Sequence, residues 1–289
     1  MGMLFGTAGP PDSDSVKSTE KGVEQAAAVG LDCMEVLFVQ GVKMGEETAA
    51  RVRAAALEHS IHLSCHAPYF INLASEDRAK LDASVQRLCD AARIGSLCGA
   101  DTVVFHPGYY TGNPPAGVYT AIRKNLEKAA ARIRSDSVRG VTLRPEITGK
   151  PSQFGSAREV IRLCADVEDA LPCIDFSHLY ARSIGECNSL ECFAGLLEEI
   201  ESALGRQAIG NLHCHLSGIQ FGPKGEVRHI PMKESGLKYT QVLEAMVDCG
   251  AAGRIISESP DEWKLKDSLL CRKQYRRLTT VKEGRLTHK

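Results

Sequence analysis

The sequence predicts an α/β fold, a single-domain (βα)8 TIM barrel, and three observations support this prediction. Short runs rich in apolar and β-branched residues alternate with helical patterns, which is typical of strand–helix units around a parallel sheet. Eight such units can be counted along the chain. Its 289 residues also fit one barrel, since barrels of this type routinely contain about 250 residues. We therefore expect one domain over residues 1–280 and a flexible tail over residues 281–289.

Each predicted strand is a short apolar run bounded by polar or glycine-containing segments. The eight strands are expected at residues 4–7, 33–39, 62–66, 101–106, 141–146, 173–176, 211–216 and 254–258. The helical pattern is clearest from Leu190 to Leu204, with Ser189 and Gly205 as the expected caps. A doubly wound open sheet is the structural alternative. It would normally carry a glycine-rich phosphate turn, and neither GxGxxG nor a Walker loop occurs in this chain.

The composition is that of a soluble globular protein, with 43% hydrophobic and 25% charged residues. A formal net charge of −1 gives no global field that attracts nucleic acid, so a polyanion must be held by local basic groups or bound metal. The eleven cysteines are odd in number and form no CxxC pair, which favours reduced thiols. With no membrane-spanning apolar run and no secretory leader, we expect a cytoplasmic protein.

Residues able to bind a metal follow most of the predicted strands. Most successive ones are 40 to 43 residues apart, about the length of one strand–helix unit, so each unit delivers a ligand to the same end of the barrel. Burying several carboxylates together is costly unless a cation neutralises them. A mixed imidazole and carboxylate set suits zinc, manganese or iron better than calcium or magnesium. The candidates are His66, His106, Glu146, Asp175, His178, His215 and Glu258.

Two further histidines precede these ligands on the same strands. His213 lies two residues before His215 and shares its face of the strand, because strand side chains alternate. We expect His213 to be buried inside the barrel, behind the ligand. His62 stands four residues before His66, and we expect the same role for it.

Seven short motifs resemble those of a known family. In chain order they are HAPYFINL, FHPG, PEITGK, CIDFSH, LHCHLS, VRHIP and SESPD, from about residue 60 to residue 262. They are similar to the metal motifs of the endonuclease IV family of apurinic/apyrimidinic endonucleases, whose TIM barrel is related to xylose isomerase. The resemblance implies a cluster of zinc ions at the barrel mouth, and manganese or iron also fits the ligand types.

The resemblance also implies how the ligands are shared. His66 and His106 would hold one ion, and Glu146 would bridge it to a second. That second ion would also take Asp175, His215 and Glu258. A third would rest on His178 and His229, but the aspartate that the family places two residues before this last histidine is Val227 here. The third site is therefore either weakened or completed by other groups; Glu226 would reach it only if the backbone bulges.

The implied reaction is phosphodiester hydrolysis 5′ to an abasic site in double-stranded DNA. Glu146 would bridge the metals and Glu258 would orient the attacking water. Tyr69 and Phe70 match the residues that the family pushes into the base stack, although they could instead cap the barrel core. Lys150 and Arg228 could contact phosphates. We expect the protein to act as a monomer.

A sugar isomerase or epimerase on the same barrel is the main alternative. Such enzymes use one ion held by glutamate, aspartate, histidine and glutamate, which Glu146, Asp175, His215 and Glu258 would supply. His66, His106 and His229 favour the nuclease, because a one-metal isomerase does not require them. A third possibility is a barrel that holds metal and binds a ligand without turnover.

Overall fold

Eight parallel strands close into a barrel in the computed structural model, which describes residues 2–16 and 18–286. The strands of the described chain are β1 (Met3–Ala8), β2 (Cys33–Leu37), β3 (His62–His66), β4 (Ala100–Phe105), β5 (Gly108–Tyr109), β6 (Thr142–Pro145), β7 (Gln153–Phe154), β8 (Cys173–Asp175), β9 (Leu212–Leu216), β10 (Gly218–Gly222), β11 (Gly225–Ile230) and β12 (Gly253–Ser257). The barrel strands pair in chain order, β1 to β4, then β6, β8, β9 and β12, and β12 pairs with β1. Isolated bridges Leu143↔Ala170 and Glu146↔Cys173 close the gap between β6 and β8. The predicted (βα)8 fold is confirmed.

Helices surround the barrel. They are α1 (Thr19–Ala28), α2 (Glu46–His59), α3 (Arg78–Cys98), α4 (Pro115–Ser135), α5 (Ala157–Asp166), α6 (Phe176–Arg182), α7 (Leu190–Leu204), α8 (Arg206–Ile209), α9 (Tyr239–Asp248) and α10 (Asp261–Leu286). Apolar side chains such as Val85, Leu88, Ile122 and Leu126 are fully buried on the helix faces that cover the strands. The main apolar core therefore lies between the helices and the sheet. No helix among the described residues is long and apolar enough to span a bilayer.

All eight predicted barrel strands are present, with bounds within two residues of those expected. The helix predicted from Leu190 to Leu204 has the same bounds, and the Ser189 side chain accepts the backbone N–H of Cys192 as its N-cap. Gly205 ends it with a positive φ of 82°, a conformation that costs glycine little. The apolar periodicity and the cap residues therefore predicted both ends of this helix correctly.

Two small sheets at the barrel mouth were not predicted. β5 pairs with β7, and β10 pairs with β11 as an antiparallel hairpin that directly follows β9. The hairpin contains a β-bulge, because Gln220 pairs with Arg228 whereas Phe221 pairs with Glu226. Val227 is the extra residue between these pairs. Hairpin strands in this part of the chain add side chains to the mouth beyond those of the barrel itself.

Part of the predicted C-terminal tail is helical. α10 continues to Leu286, so residues 281–286 belong to a helix, and residues 287–289 lie outside the described part of the chain; the flexibility of this segment stays a prediction. The Lys282 Nζ donates to the carbonyl oxygens of Val247 and Asp248 at the end of α9. This contact ties the last turns of α10 to the barrel.

The prediction that all cysteines are reduced is wrong for one pair. Cys187 and Cys192 form a disulfide in the segment that enters α7, with their Cα atoms 5.6 Å apart. Their spacing is CxxxxC, so a search for CxxC pairs does not find them. The other nine cysteines are free, and most are buried, as expected for small apolar side chains. Burial raises the pKa of the Cys33 thiol to about 12, which keeps it protonated and unreactive.

Candidate metal centre

The predicted ligands are arranged around the carboxyl-terminal mouth of the barrel. His66 ends β3, His106 follows β4, Glu146 follows β6, and Glu258 follows β12. Asp175 ends β8, His178 lies in the first turn of α6, His215 lies in β9, and His229 lies in β11 of the hairpin. Parallel strands all end at the same face, so residues far apart in sequence meet there. The structure places all eight side chains in one cluster.

Glu146 lies at the centre of this cluster and is fully buried. Its Oε2 is 3.2 Å from His66 Nε2 and 3.0 Å from His106 Nε2. Its Oε1 is 3.0 Å from His178 Nδ1 and 3.4 Å from His215 Nδ1. Each carboxylate oxygen therefore faces a different pair of imidazoles. This is the arrangement expected of a carboxylate that bridges two cations.

Four groups of side chains have ligand atoms within 4.8 Å of one another; Cys173, His213 and His215 lie deeper in the barrel, and the other three groups lie at the mouth. Of these three, the first is His66, His106 and Glu146; the second is Glu146, Asp175, His215 and Glu258; the third is His178, His229 and Glu258. Glu146 belongs to the first two groups, and Glu258 belongs to the second and third. Shared carboxylates between adjacent groups indicate a multinuclear centre better than they indicate a single ion.

Hydrogen-bonding capacity is left unused at the centre of the cluster. Glu146 Oε1, Asp175 Oδ2 and His215 Nδ1 are buried and have no hydrogen-bond partner among the described residues. A buried polar atom left unpaired costs about 1–3 kcal/mol, more when charged. A cation placed between these atoms would satisfy all three. The donor set is imidazole nitrogen and carboxylate oxygen, so it fits zinc, manganese or iron.

The electrostatics of the cluster also favour a cation. Burial raises the pKa of Asp175 and outweighs the nearby His178. Burial alone would also raise the pKa of Glu146 and of Glu258, but the neighbouring imidazoles lower both pKa values by more. His106 and His215 hold the pKa of Glu146 well below its usual range. His215 lowers the pKa of Glu258 to about 2. A cation bound among these groups would lower the pKa of the carboxylates in the same way, and it would compete with protons for the imidazole nitrogens.

Two of the histidines are held by hydrogen bonds that orient their rings. The backbone N–H of His178 donates to Asp175 Oδ1 at 2.7 Å, because Asp175 is the N-cap of α6. His178 Nδ1 is 3.0 Å from the Ile147 carbonyl oxygen. His229 Nδ1 is 2.7 Å from Ser217 Oγ. Both rings are therefore fixed with Nε2 free to face the third group.

The β-bulge supplies a carboxylate where the third group lacks its aspartate. Val227, the extra residue, has 59% of its surface exposed and does not contribute to the site. Glu226 Oε2 instead lies 3.5 Å from His178 Nε2. The Glu226 backbone N–H donates to the Gly149 carbonyl oxygen at 3.0 Å, and a Cβ at Gly149 would lie 2.7 Å from Glu226 Cβ. The glycine of PEITGK therefore leaves the space in which Glu226 sits.

Substituting Glu226 is expected to lower occupancy of the third group. Glu226→Gln keeps the size of the side chain but removes the negative charge beside His178, so a cation there loses part of its attraction. Metal bound per chain, counted by plasma emission after dialysis, should fall by up to one equivalent. Val227→Asp is the matched control and should leave the count unchanged, because position 227 faces solvent. An unchanged count in Glu226→Gln, with a raised count in Val227→Asp, would contradict this role.

Tyr69 and Phe70 are exposed at the mouth and do not cap the barrel core. Their exposed fractions are 48% and 65%. The Tyr69 ring packs at 5.4 Å from the His66 ring and 5.6 Å from the His106 ring, measured between centroids. Two large apolar side chains left in solvent beside a buried polar cluster indicate a contact surface for a ligand.

The basic residues of the mouth differ in what they contact. Lys150 and Gln153 line a cleft of about 240 Å³ that opens over His106, His178, His229 and Glu258. Arg228 is exposed, and its Nε donates to Gln220 Oε1. Arg182, by contrast, donates to the carbonyl oxygens of Thr148, Lys150 and Gln153. Arg182 therefore holds the loop that presents Lys150, while Lys150 and Arg228 remain available to a phosphate.

Sequence reasoning missed one buried residue, Glu35, and misplaced one histidine. Glu35 lies in β2 and is fully buried beside His213, which is inside the barrel as expected. The missed signal was a carboxylate in the middle of the apolar run CMEVLF, since a charge buried in a strand needs partners. The expectation for His62 is wrong. It is exposed, because β3 begins at His62 and this end of the strand lies away from the mouth.

Comparisons with known proteins are consistent with this geometry. A protein of Methanocaldococcus jannaschii described as uncharacterised is 40% identical over 258 residues, covering 89% of this chain and 92% of that protein. A "probable endonuclease 4" of Mycoplasma genitalium is 26% identical over 186 residues, covering 63% and 61%. The crystal structure of a D-tagatose 3-epimerase-like protein has a TM-score of 0.75 at 18% identity, covering 97% and 99%, which shows a shared fold. The profile of the xylose isomerase-like TIM barrel family matches residues 23–280. The chain therefore belongs to the family of xylose isomerase-like TIM barrels.

Proposed function

We propose that this protein is a metal-dependent phosphodiesterase that cleaves double-stranded DNA 5′ to an abasic site. One observation carries the proposal: three ligand groups overlap through Glu146 and Glu258. An enzyme that isomerises sugars with one ion would need only the second of these groups. It would leave the imidazoles of the first and third groups, on four further segments of the barrel, without a function. Phosphodiester hydrolysis uses several cations at once.

The chain's own residues have defined tasks in this reaction. The three ligand groups at the mouth would hold cations, whose positive charge would acidify a water and stabilise negative charge on the phosphate oxygens. Glu146 holds the first two ligand groups together, through one oxygen each. Glu258 borders the open cleft and is less buried than Glu146, so its carboxylate can orient the attacking water by accepting a hydrogen bond from it. Lys150 and Arg228 would pair with phosphates that flank the cleaved bond.

The shape of the mouth suits an abasic nucleotide that has been turned out of the helix. A sugar and its phosphate would occupy the cleft of about 240 Å³ once the nucleotide has left the base stack. Tyr69 and Phe70 at its edge could fill the gap left in the base stack. The formal charge of −1 implies that binding depends on these local contacts and on the cations. A cytoplasmic location and a monomeric state remain predictions that accompany the proposal.

A duplex oligonucleotide with one tetrahydrofuran abasic analogue tests the activity. The purified protein with its native metal, or reconstituted with Zn²⁺, should cut the damaged strand on the 5′ side and leave a 3′-hydroxyl that a polymerase can extend. The same duplex without the lesion is the matched control and should stay intact. Failure to cut the damaged strand, at full metal content, would reject the proposed activity.

Epimerisation or isomerisation of a sugar is the second candidate. The fold match to a D-tagatose 3-epimerase-like protein and the complete set Glu146, Asp175, His215 and Glu258 favour it. In this case, proton transfer beside a carbonyl would replace phosphate hydrolysis. Deuterium incorporation from heavy water into ketoses, followed by NMR with the same preparation, distinguishes the two. Incorporation without DNA cleavage would favour the epimerase.

A further inference from the structure

Directly behind the metal centre lies a carboxylate that belongs to none of the three ligand groups. Glu35, on β2, is fully buried. Ser64 Oγ donates to its Oε2 at 2.9 Å, and His213 Nε2 lies 3.0 Å from the same oxygen. Its other oxygen, Oε1, lies 3.1 Å from His215 Nε2, and neither of these two atoms forms a hydrogen bond with any other described residue. Burying a carboxylate costs folding free energy unless partners compensate its charge, so Glu35 either has a function or is compensated by these neighbours.

The two nitrogens of His215 face different surroundings. Nδ1 points to the mouth, 3.4 Å from Glu146 Oε1 and 3.4 Å from Glu258 Oε2. Nε2 points the other way, to Glu35. A neutral imidazole carries one N–H and one lone pair, and only the lone pair can bind a metal. The group that takes the N–H therefore decides which nitrogen becomes the ligand.

We propose that Glu35 is a positioning residue that keeps the proton of His215 on Nε2 and so presents Nδ1 to the metal. Ser64 and His213 both contact Oε2, which leaves Oε1 for His215. A carboxylate behind a ligating histidine fixes the ring and raises its basicity. The inference rests on the proposed function only in that the centre binds a cation; it does not depend on which reaction follows.

A buried metal deeper in the barrel is the competing explanation. Ligand atoms of Cys173, His213 and His215 also lie within 4.8 Å of one another. Such a metal would take His215 by Nε2, the nitrogen that faces Glu35, and would need the Cys173 thiolate. Co²⁺ loaded in place of the native metal separates the two, because a cobalt–thiolate bond gives a near-ultraviolet charge-transfer band.

Zinc affinity, measured by competition with a chromophoric chelator, tests the role of Glu35. Glu35→Leu should bind Zn²⁺ roughly 10- to 100-fold more weakly than the wild type. Glu35→Gln, which retains an acceptor oxygen, should recover part of that loss and guards against misfolding of the leucine variant. Asp101→Asn is the matched control, because Asp101 pairs with Arg254 at 2.6 Å and contacts no ligand. Its affinity should be that of the wild type.

Nitrogen NMR of the zinc-loaded, ¹⁵N-histidine-labelled protein gives the second readout. The wild type should show His215 with zinc on Nδ1 and a slowly exchanging proton on Nε2, and the glutamine variant should exchange that proton faster. Unchanged affinity and exchange in both Glu35 variants, or a cobalt–thiolate band, would overturn the inference. Neither readout involves DNA, so a protein that cuts no abasic site would reject the proposed activity while leaving this role intact.

Discussion

Glu146→Gln is expected to abolish turnover and to reduce the metal content of the purified protein. Each Glu146 oxygen faces a different pair of imidazoles, at 3.0 to 3.4 Å, so no other side chain can replace its bridging position. An amide offers one neutral acceptor in place of a charged pair of oxygens. Loss of a partner in the outer shell of a metal site already costs 10–100-fold, so we expect loss of at least roughly a hundredfold in cleavage rate.

The control for this variant is the same substitution at a glutamate outside the centre. Glu159 lies in the capping box of α5 and accepts from the Ser156 N–H. Glu159→Gln should retain metal and activity. Thermal unfolding of both variants separates a local effect from a loss of fold. Wild-type activity in a folded Glu146→Gln protein would show that the centre has been misassigned.

Removal of the metal by chelation is expected to lower stability as well as activity. A cation that binds only the folded protein stabilises it by about 2.7 kcal/mol when it is present at a hundred times its Kd. The buried carboxylates Glu146 and Asp175 lose that compensation when the cation is removed. For a chain of this size the change corresponds to a fall in Tm of roughly 5 °C or more, measured by scanning calorimetry.

The Glu146→Gln protein serves as the comparison for the chelation experiment. If the stabilisation comes from metal at the mouth, chelation should shift its Tm less than it shifts that of the wild type. Re-addition of Zn²⁺ should restore the wild-type value. Equal Tm shifts in both proteins, or no shift in the wild type, would show that metal at the mouth does not stabilise the fold.

The barrel and the approach of the ligands could be predicted because each depends on a local pattern. His66, for example, ends an apolar run whose bounds in the structure are those expected, 62–66. Once such runs are known to be parallel strands, their ends must share one face. The same logic applies to His215 and Glu258. The alternation of side chains along a strand and the length of one strand–helix unit were sufficient to predict where these residues lie.

What the sequence did not show depends on the three-dimensional path of the chain. A β-bulge has no sequence signature at Val227, so the inward placement of Glu226 appeared only with the register of the hairpin. Glu35 sits in a run that resembles any buried strand, and its partners come from β3 and β9. The Cys187–Cys192 disulfide likewise depends on the path of the chain before α7. Each is a tertiary feature that local propensity does not encode.

Sequence alone could not resolve the role of the exposed residues at the mouth. Phe70 lies four residues after the ligand His66, in an apolar segment that could equally pack into a barrel core. The structure places its ring in solvent, which makes a contact surface the better interpretation. Arg182, also a basic residue near the mouth, donates to three carbonyl oxygens of the Lys150 loop. The exposure of Phe70 and the hydrogen-bond partners of Arg182 distinguished their roles, which residue type alone did not.

The metal content of the wild-type protein is the most direct test of a multinuclear centre. The protein should be purified without chelator and without added metal, and its metals counted per chain by inductively coupled plasma mass spectrometry. The three overlapping ligand groups predict two or three equivalents. A single equivalent that stays constant when zinc is supplied in excess, or none at all, would contradict the shared centre and leave only the barrel.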